Sequence, residues 1–511
     1  MKNDIRRVWP NKISNRWWNY CYSDINNTGI IVISLSIIQK IYKAIIALTC
    51  MEYTRLKEAN PWWENKDSIK QDLHLSRVER QKFKWNYNII DNLEEGIYSI
   101  RGPRQVGKTT WIKQKIRELL EFNNPRNIFF YSCDDIRDYE GLMEIVDFFL
   151  ELSDKDESKY IFLDEIPFVS EWQRGIKHLY DAGKLRKCAV VLSGSFSIDI
   201  KRSVEQLPGR GDDGKRHFIV LPLTFSQYLE VIGKNLHFSG NFEKDVNLLK
   251  LNFKIIDKEY KNYLLTGGFL KIINEFFENK NITDASYDVY LKWIIGDIAK
   301  WELKENFSKQ AIRRVIESYT SGLSWSSLKS GTDIDSHITV SKYVNAIEEM
   351  FVFNILYKMD FNKRIPDFPK SKKVYFSDPF IFSACYKWVN STENNFKFYQ
   401  DYVDKNTDKI SEGIVLNHLI NIIYRKIKSN IYDYKDMIYY WTNKNKTKEI
   451  DFVYKNSAFE VKYREKIGSE DYKSLDEFNK GYLISKKTFD NRTFPISAFL
   501  LLLEKYFDKF Y

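Results

Sequence analysis

The chain has 511 residues, enough for about three or four domains, and its high aromatic and sparse glycine and proline content excludes extended disorder. Its formal charge of +10 is not a general nucleic-acid signature, because residues 1–50 alone hold seven Lys or Arg against two Asp or Glu, half of the excess. Five scattered cysteines with no CxxC spacing exclude a disulfide framework or structural zinc site and fit a reducing, cytoplasmic setting.

In chain order, the first feature is the apolar stretch Gly29 to Leu48, interrupted by Gln39, Lys40 and Lys43. Its uninterrupted part, Gly29 to Ile38, falls well short of the roughly 20 residues that cross a bilayer, so no membrane span is expected. Three readings stand for residues 1–50. The basic residues Arg6, Arg7, Lys12 and Arg16 ahead of the apolar run are compatible with a signal anchor, although no small-residue cleavage site follows. Ser36, Lys40 and Lys43 share a helical face opposite Ile37, Ile41, Ile45 and Leu48, the pattern of a surface-lying amphipathic helix. The favoured reading is that translation starts at Met51 and that these residues are not made.

Next comes an apolar, β-prone run from Gly96 to Ile100, then Gly102-Pro103-Arg104-Gln105-Val106-Gly107-Lys108-Thr109, then a helical pattern from Trp111 to Glu121. This strand, GxxxxGKT loop and helix is the context in which backbone N–H groups and a helix N-terminus hold a phosphate chain. Lys108 is expected to reach the β- and γ-phosphates of ATP, Thr109 to bind Mg²⁺, and Gly102 to Thr110 to form the cradle. About fifty residues on, the apolar strand Tyr160 to Leu163 ends in Asp164 and Glu165. Asp164 is expected to hold the Mg²⁺ shell and Glu165 to polarise the attacking water. A further buried-type strand, Ala189 to Leu192, runs into Ser193-Gly194-Ser195, which puts Ser193 or Ser195 where a γ-phosphate sensor sits. Arg210, in Leu207-Pro208-Gly209-Arg210, can neutralise transition-state charge in cis or across a subunit interface.

Asn60-Pro61-Trp62-Trp63, the GPRQVGKTT loop, LDEI, SGS, LPGR and Leu221-Pro222-Leu223-Thr224-Phe225 followed by Tyr228-Leu229-Glu230 resemble the prokaryotic AAA-type ATP-binding proteins whose C-terminal half is the domain of unknown function 4143. The resemblance begins near Met51 and runs to the end. It implies an α/β multidomain protein: a doubtful extension at 1–50, a five-stranded parallel P-loop core at 51–222, and a helical segment at 223–308 containing Thr266-Gly267-Gly268-Phe269. A winged-helix-like region at 309–365 and a PD-(D/E)xK nuclease-like α/β domain at 366–511 follow.

The winged-helix order is also visible in the residues: Ala311 to Tyr319, Trp325 to Lys329 and Ile338 to Phe351 as helices, then an apolar hairpin over Val352 to Phe361. The recognition-helix position, Ser336 to Ala346, offers few side chains for reading bases, so a DNA or a protein client is open. Glu449 to Val453 and Ala458 to Lys462 alternate as two strands joined through Lys455-Asn456-Ser457. Asp451, Glu460 and Lys462 would then share a face, the Asp…Glu-x-Lys arrangement of a metal-dependent nuclease. Related domains usually carry a glutamate on the preceding helix, where Asn417 stands here. Glu412 lies about 140° round that helix from Asn417 and is expected to be too far away to substitute. His418 is expected on the helix surface.

These readings lead to a Mg-ATP-dependent switch expected to hydrolyse ATP, with an ATP-regulated metal-dependent nuclease or a slow-hydrolysing nucleotide-binding interaction scaffold as the alternatives. Homo-oligomerisation is compatible with a trans-acting Arg210.

Overall fold

The computed structural model describes residues 53–195, 216–426 and 433–510. Residues 1–50, Met51 and the segment containing Arg210 lie outside the described residues. The described residues fall into two compact units, 53–76 with 92–97 and 112–193, and 77–91 with 98–111, 194–195, 216–426 and 433–510.

Strands β1 (Gly96–Arg101), β2 (Ile128–Ser132), β3 (Lys159–Asp164), β4 (Cys188–Gly194) and β5 (His217–Ile219) form a parallel sheet in the order β2-β3-β4-β1-β5. The continuous apolar runs Ile161-Phe162-Leu163 and Val190-Val191-Leu192 are fully buried, as parallel strands covered on both faces require. Helices α1 (Lys108–Leu119), α2 (Tyr139–Leu152) and α3 (Trp172–Asp181) alternate with these strands.

The edge strand β2 has its backbone groups taken by side chains. Asn60 Oδ1 accepts from the Phe130 N–H at 2.6 Å, and Asn60 Nδ2 donates to the Phe130 carbonyl at 3.0 Å. Trp62 and Trp63 each donate Nε1–H to the Ile128 carbonyl, at 3.0 and 2.9 Å. The NPWW segment therefore occupies the place of a neighbouring strand and blunts an edge that could otherwise recruit another chain.

In the second unit, helices α4 (Phe225–Val231), α5 (Phe242–Thr266), α6 (Leu270–Asn279) and α7 (Asp284–Lys300) follow β5. Thr224 and Gln227 cap α4 reciprocally. The paired glycines of Thr266-Gly267-Gly268-Phe269 answer to close approach. Gly267 has φ +60, and a Cβ there would stand 2.0 Å from Asp378 Oδ1; a Cβ on Gly268 would stand 2.2 Å from the Leu223 carbonyl. The Leu223 N–H donates to the Gly268 carbonyl at 2.9 Å, and the Gly268 N–H donates to Asp378 Oδ2 at 2.8 Å.

Helices α8 (Glu305–Glu317), α9 (Trp325–Lys329) and α10 (His337–Glu349) precede β6 (Phe353–Tyr357), β7 (Met359–Asp360), β8 (Ile365–Pro366) and β9 (Lys372–Phe376). The expected hairpin within 352–361 is corrected here. β6 pairs antiparallel with β9, from Phe353↔Phe376 to Tyr357↔Lys372, and β7 and β8 form a small ribbon between them. The residues that break the expected hairpin are Lys358 to Pro369, whose turns at Asn362 and Pro369 flank β8 and lengthen the connection. Leu323 exchanges two backbone bonds of 2.7 Å with Lys372, an isolated antiparallel bridge beside the β6–β9 pair.

The chain continues through α11 (Pro379–Asn390) and α12 (Asn395–Lys426), the latter kinked at Asn406. A mixed sheet of β10 (Ile438–Thr442), β11 (Glu449–Tyr454), β12 (Ser457–Lys462), β13 (Lys480–Ser485) and β14 (Thr493–Pro495) runs in sequential order, and α13 (Ile496–Tyr506) packs on it. β10, β11 and β12 are antiparallel neighbours, while β12, β13 and β14 are parallel. Among the described residues no helix is long and apolar enough to cross a membrane.

Candidate functional site

Gly102 to Gly107 connect β1 to α1 within the second unit. Gly102 cannot carry a side chain, because its Cβ would meet the Val220 carbonyl at 2.0 Å, where Val220 follows β5. Gln105 adopts φ +63 and Gly107 φ +106, positive-φ conformations of the kind from which anion-binding nests of backbone N–H groups are built. Gly107 accepts from the Trp111 N–H at 2.9 Å, closing the first turn of α1. Lys108 is buried, and its ammonium donates to the carbonyls of Gly102 and Pro103 at 2.8 and 2.9 Å. Val106 is buried, while Thr109 and Thr110 are half-buried at the start of α1. A left-handed nest, a helix N-terminus and a lysine spanning the loop are the donor set that a phosphate chain with its Mg²⁺ needs, so the residues fit a bound nucleotide.

Arg104 has a partner that its place in the loop does not announce. Its guanidinium donates to Asp297 Oδ1 at 3.0 Å, and Trp293 Nε1 donates to Asp297 Oδ2 at 2.6 Å. Burial raises the Asp297 carboxyl above its ordinary value, against the pull of Arg104 and Lys300.

In the first unit, β3 delivers Asp164 into a buried position at its C-terminal end. Ser193, near the end of β4, donates its hydroxyl to Asp164 Oδ1, and the Glu165 N–H donates to the same oxygen at 3.2 Å. The Ser193 tie was not foreseen as a contact with the acid. Ser195 is buried two residues further on. Glu165 is half-buried and takes φ +53, an unfavourable conformation for a residue with a Cβ, of the kind that clusters at functional sites.

A second charged cluster lies in the C-terminal half. The register Phe452↔Phe459 sets Asp451 opposite Glu460. The Asp451 N–H donates to Glu460 Oε2 at 3.2 Å, the Val461 N–H donates to Asp451 Oδ2 at 2.9 Å, and Lys462 pairs with Glu460 Oε1. The three expected residues thus converge. The structure adds Lys373 from β9, whose ammonium lies 2.6 Å from Glu449, 2.9 Å from Asp451 and 2.9 Å from Glu412. Tyr375, two residues along the strand, donates to the same Glu412 oxygen.

Two expectations about α12 are corrected by this arrangement. Glu412 faces the cluster, while Asn417 points elsewhere, accepting from Asn354 at 2.8 Å and donating to the Phe376 carbonyl at 3.0 Å. The angle between them on the helix was sound; the assumption that Asn417 marked the acid-facing side was not. His418 is buried rather than on the surface. Its Nε2 accepts from the Phe225 N–H at 2.7 Å, and its Nδ1–H donates to the Ile414 carbonyl at 2.8 Å.

Burial first, and the charge of Asp451 second, hold the Glu412 and Glu460 carboxyls above their ordinary values. Burial pulls the Lys373 ammonium down, but Asp451 and Glu412 more than offset it and hold it charged. Among the described residues no three His, Cys, Asp or Glu side chains are grouped to hold a metal ion. The donor set here does not fit a divalent cation, because an ammonium already stands between the acids.

A family model described as an AAA domain matches residues 94–229, the interval holding the phosphate-binding loop and the Asp164-Glu165 strand end. Two further models, both for domains of unknown function, match residues 257–405 (DUF8612) and 407–496 (DUF4143). No curated protein matches the chain. Among solved structures, the Aeropyrum pernix ORC1 protein in complex with DNA is 12% identical, with 63% of this chain and 92% of that chain covered at a TM-score of 0.29. Cdc6p from Pyrobaculum aerophilum is 13% identical over 64% and 94%, at a TM-score of 0.24. The chain thus carries an AAA-type, P-loop ATPase-like domain followed by a DUF4143 domain.

Proposed function

We propose that this protein is a Mg-ATP-binding ATPase in which nucleotide binding and hydrolysis drive a conformational switch. The observation that carries the reading is the Gly102 to Gly107 nest with Lys108 buried across it, inside the interval matched as an AAA domain. Gly102, Pro103, Arg104, Gln105, Val106 and Gly107 surround the phosphates with their backbone. Lys108 would hold the phosphate oxygens, and Thr109 and Asp164 are the residues that would hold Mg²⁺. Bound Mg²⁺ neutralises the charge that develops on the phosphates. Ser193 fixes the rotamer of Asp164, Glu165 orients and deprotonates the attacking water, Ser195 senses the terminal phosphate, and Arg210 is the candidate arginine finger.

Lys108→Ala is expected to abolish binding of a fluorescent ATP analogue. Glu165→Gln is expected to bind normally and lose at least about 100-fold in phosphate release, the usual scale of general-base catalysis. Unchanged turnover in Glu165→Gln would remove that residue from the mechanism. A wild-type protein that binds ATP yet releases no phosphate would instead be the slow-hydrolysing scaffold.

The order α8, α9, α10, β6, β9, with Leu323 paired to Lys372, supports a winged-helix reading of this region. Its client is read here as nucleic acid, through the β7–β8 ribbon rather than α10. Phe361, Ile365 and Phe368 are exposed there at 38, 48 and 53%. Lys363, Arg364 and Lys370 are exposed beside them, and burial together with neighbouring Lys370 and Lys446 lowers the Lys358 ammonium below its ordinary value. A basic, aromatic strip suits a phosphate backbone with stackable bases. Replacing Lys363, Arg364 and Lys370 by Glu is expected to weaken DNA binding and flatten its salt dependence. DNA binding that is absent from the wild type would leave a protein client.

The nuclease reading is favoured by the convergence of Asp451, Glu460, Lys462 and Glu412, and opposed by Lys373 at their centre. Cleavage of mixed DNA and RNA in Mg²⁺ or Mn²⁺, lost in Asp451→Ala, would establish it.

A further inference from the structure

We infer that the Lys373 ammonium is a resident cation, standing where the resemblance to metal-dependent nucleases implies a divalent ion, and that the Glu412, Asp451 and Glu460 cluster is a neutralised structural node rather than a cleavage centre. The position is the first argument. One ammonium touches Glu449, Asp451 and Glu412 at 2.6 to 2.9 Å, so it takes the space between carboxylates from α12 and β11 in which a shared metal would bind.

Occupancy of the acids is the second. Asp451 Oδ1 accepts from Lys373 and Oδ2 from the Val461 N–H, while Glu460 Oε1 pairs with Lys462 and Oε2 accepts from the Asp451 N–H. Every carboxylate oxygen of those two acids already has a donor. A metal would have to share these oxygens with their present donors, displace the Lys373 ammonium from Asp451, and shed its own water as well.

Confinement is the third. The Lys373 side chain is 2% exposed, its backbone is held in the β6–β9 pair at Leu356↔Lys373, and the Tyr440 ring lies 5.7 Å from its ammonium. Moving it aside would leave a charge buried with no counter-ion, which proteins avoid. Being tethered, the ammonium also loses no translational freedom on binding, whereas a metal from solution does. The node has a mechanical result: a single side chain staples β9, α12 and β11 together.

The test uses the full chain without nucleotide, titrated with Mn²⁺ while the free ion is followed by its electron paramagnetic resonance signal. Wild type and Asp451→Asn are expected to take up the same amount of Mn²⁺. Lys373→Met is expected to gain one Mn²⁺ per chain, and that gain to vanish in the Lys373→Met, Asp451→Asn double variant. A wild-type Mn²⁺ site that disappears in Asp451→Asn would overturn the proposal. So would a folded Lys373→Met that takes up no more Mn²⁺ than wild type. Where Lys373→Met does not fold, the wild type and Asp451→Asn decide between them, with Glu460→Gln in place of Asp451→Asn should that variant be unfolded. ATP turnover is not read in any arm, so these outcomes are separate from those that test the ATPase.

Discussion

His418 shows how a single buried side chain makes stability depend on pH. Its Nε2 must stay unprotonated to accept the Phe225 N–H, and its Nδ1–H is committed to Ile414. Protonating Nε2 would set two donors against each other in a buried site. Burial, the leading cause, lowers its pKa from an ordinary 6.5 to about 4. Between those values the unfolded chain binds a proton that the folded chain refuses, so this residue's contribution is complete above pH 6.5 and is lost as pH falls towards 4. Asp378 works in the opposite direction. Burial raises its carboxyl from 3.8 to about 7, so the folded state holds that proton longer and loses stability as pH rises through the window. The two effects separate in a difference measurement. Chemical denaturation of wild type and His418→Gln at pH 7.5 and pH 5 is expected to give a variant whose stability falls less on acidification. Equal falls would remove His418 as the acid-sensitive group.

Among the elements, edge strand β2 depends on a side chain for pairing that a neighbouring strand normally supplies. Asn60→Ala would leave both the Phe130 N–H and carbonyl without their Asn60 partner. With about 1–3 kcal/mol for each of these two buried groups left unpaired, a loss of about 2–6 kcal/mol is expected, visible as a lower urea midpoint at unchanged m-value. Asn60→Asp, which keeps the acceptor and drops the donor, is expected to fall between the two. A midpoint within error of wild type in Asn60→Ala would mean that the edge is satisfied some other way. The contrast between Asn60 and the phosphate-binding loop also explains what could be read in advance. The loop, the Asp164 strand end and the β11–β12 pair depend on residues close in sequence, where spacing and alternation set geometry directly. Asn60 meets Phe130 across 70 positions, and Lys373 meets Asp451 across 78. Nothing in local periodicity reports such meetings. NPWW was visible as a motif without its role, and Lys373 had no signal beyond being one of two adjacent lysines that open β9. Glu412 failed for a different reason, since its helical phase was measured from Asn417, which does not face the cluster.

At the scale of the molecule, the phosphate-binding loop falls within the same compact unit as helices α4 to α7 and the C-terminal half. Arg104 is the loop residue that makes this a chemical connection, through its 3.0 Å bond to Asp297 near the end of α7. A triphosphate arriving at the loop brings negative charge that competes with Asp297 for the same guanidinium. Asp297 is buried, and weakening its contact with Arg104 leaves Trp293 and Lys300 to hold it, so α7 has a reason to respond. Coupling of this kind is reciprocal: if nucleotide weakens the Arg104–Asp297 pair, removing the charge of Asp297 strengthens nucleotide binding. Asp297→Asn, which keeps an acceptor for Trp293, is therefore expected to bind ATP about 5-fold more tightly or better, the lower end of usual allosteric couplings. The same variant is expected to lose the ATP-dependent change in amide exchange over residues 284–300. Both readouts are needed, because tighter binding alone could follow from the simple loss of a nearby negative charge. An Asp297→Asn protein whose α7 exchange responds to ATP as strongly as the wild type would show that the loop and helix are joined without being coupled.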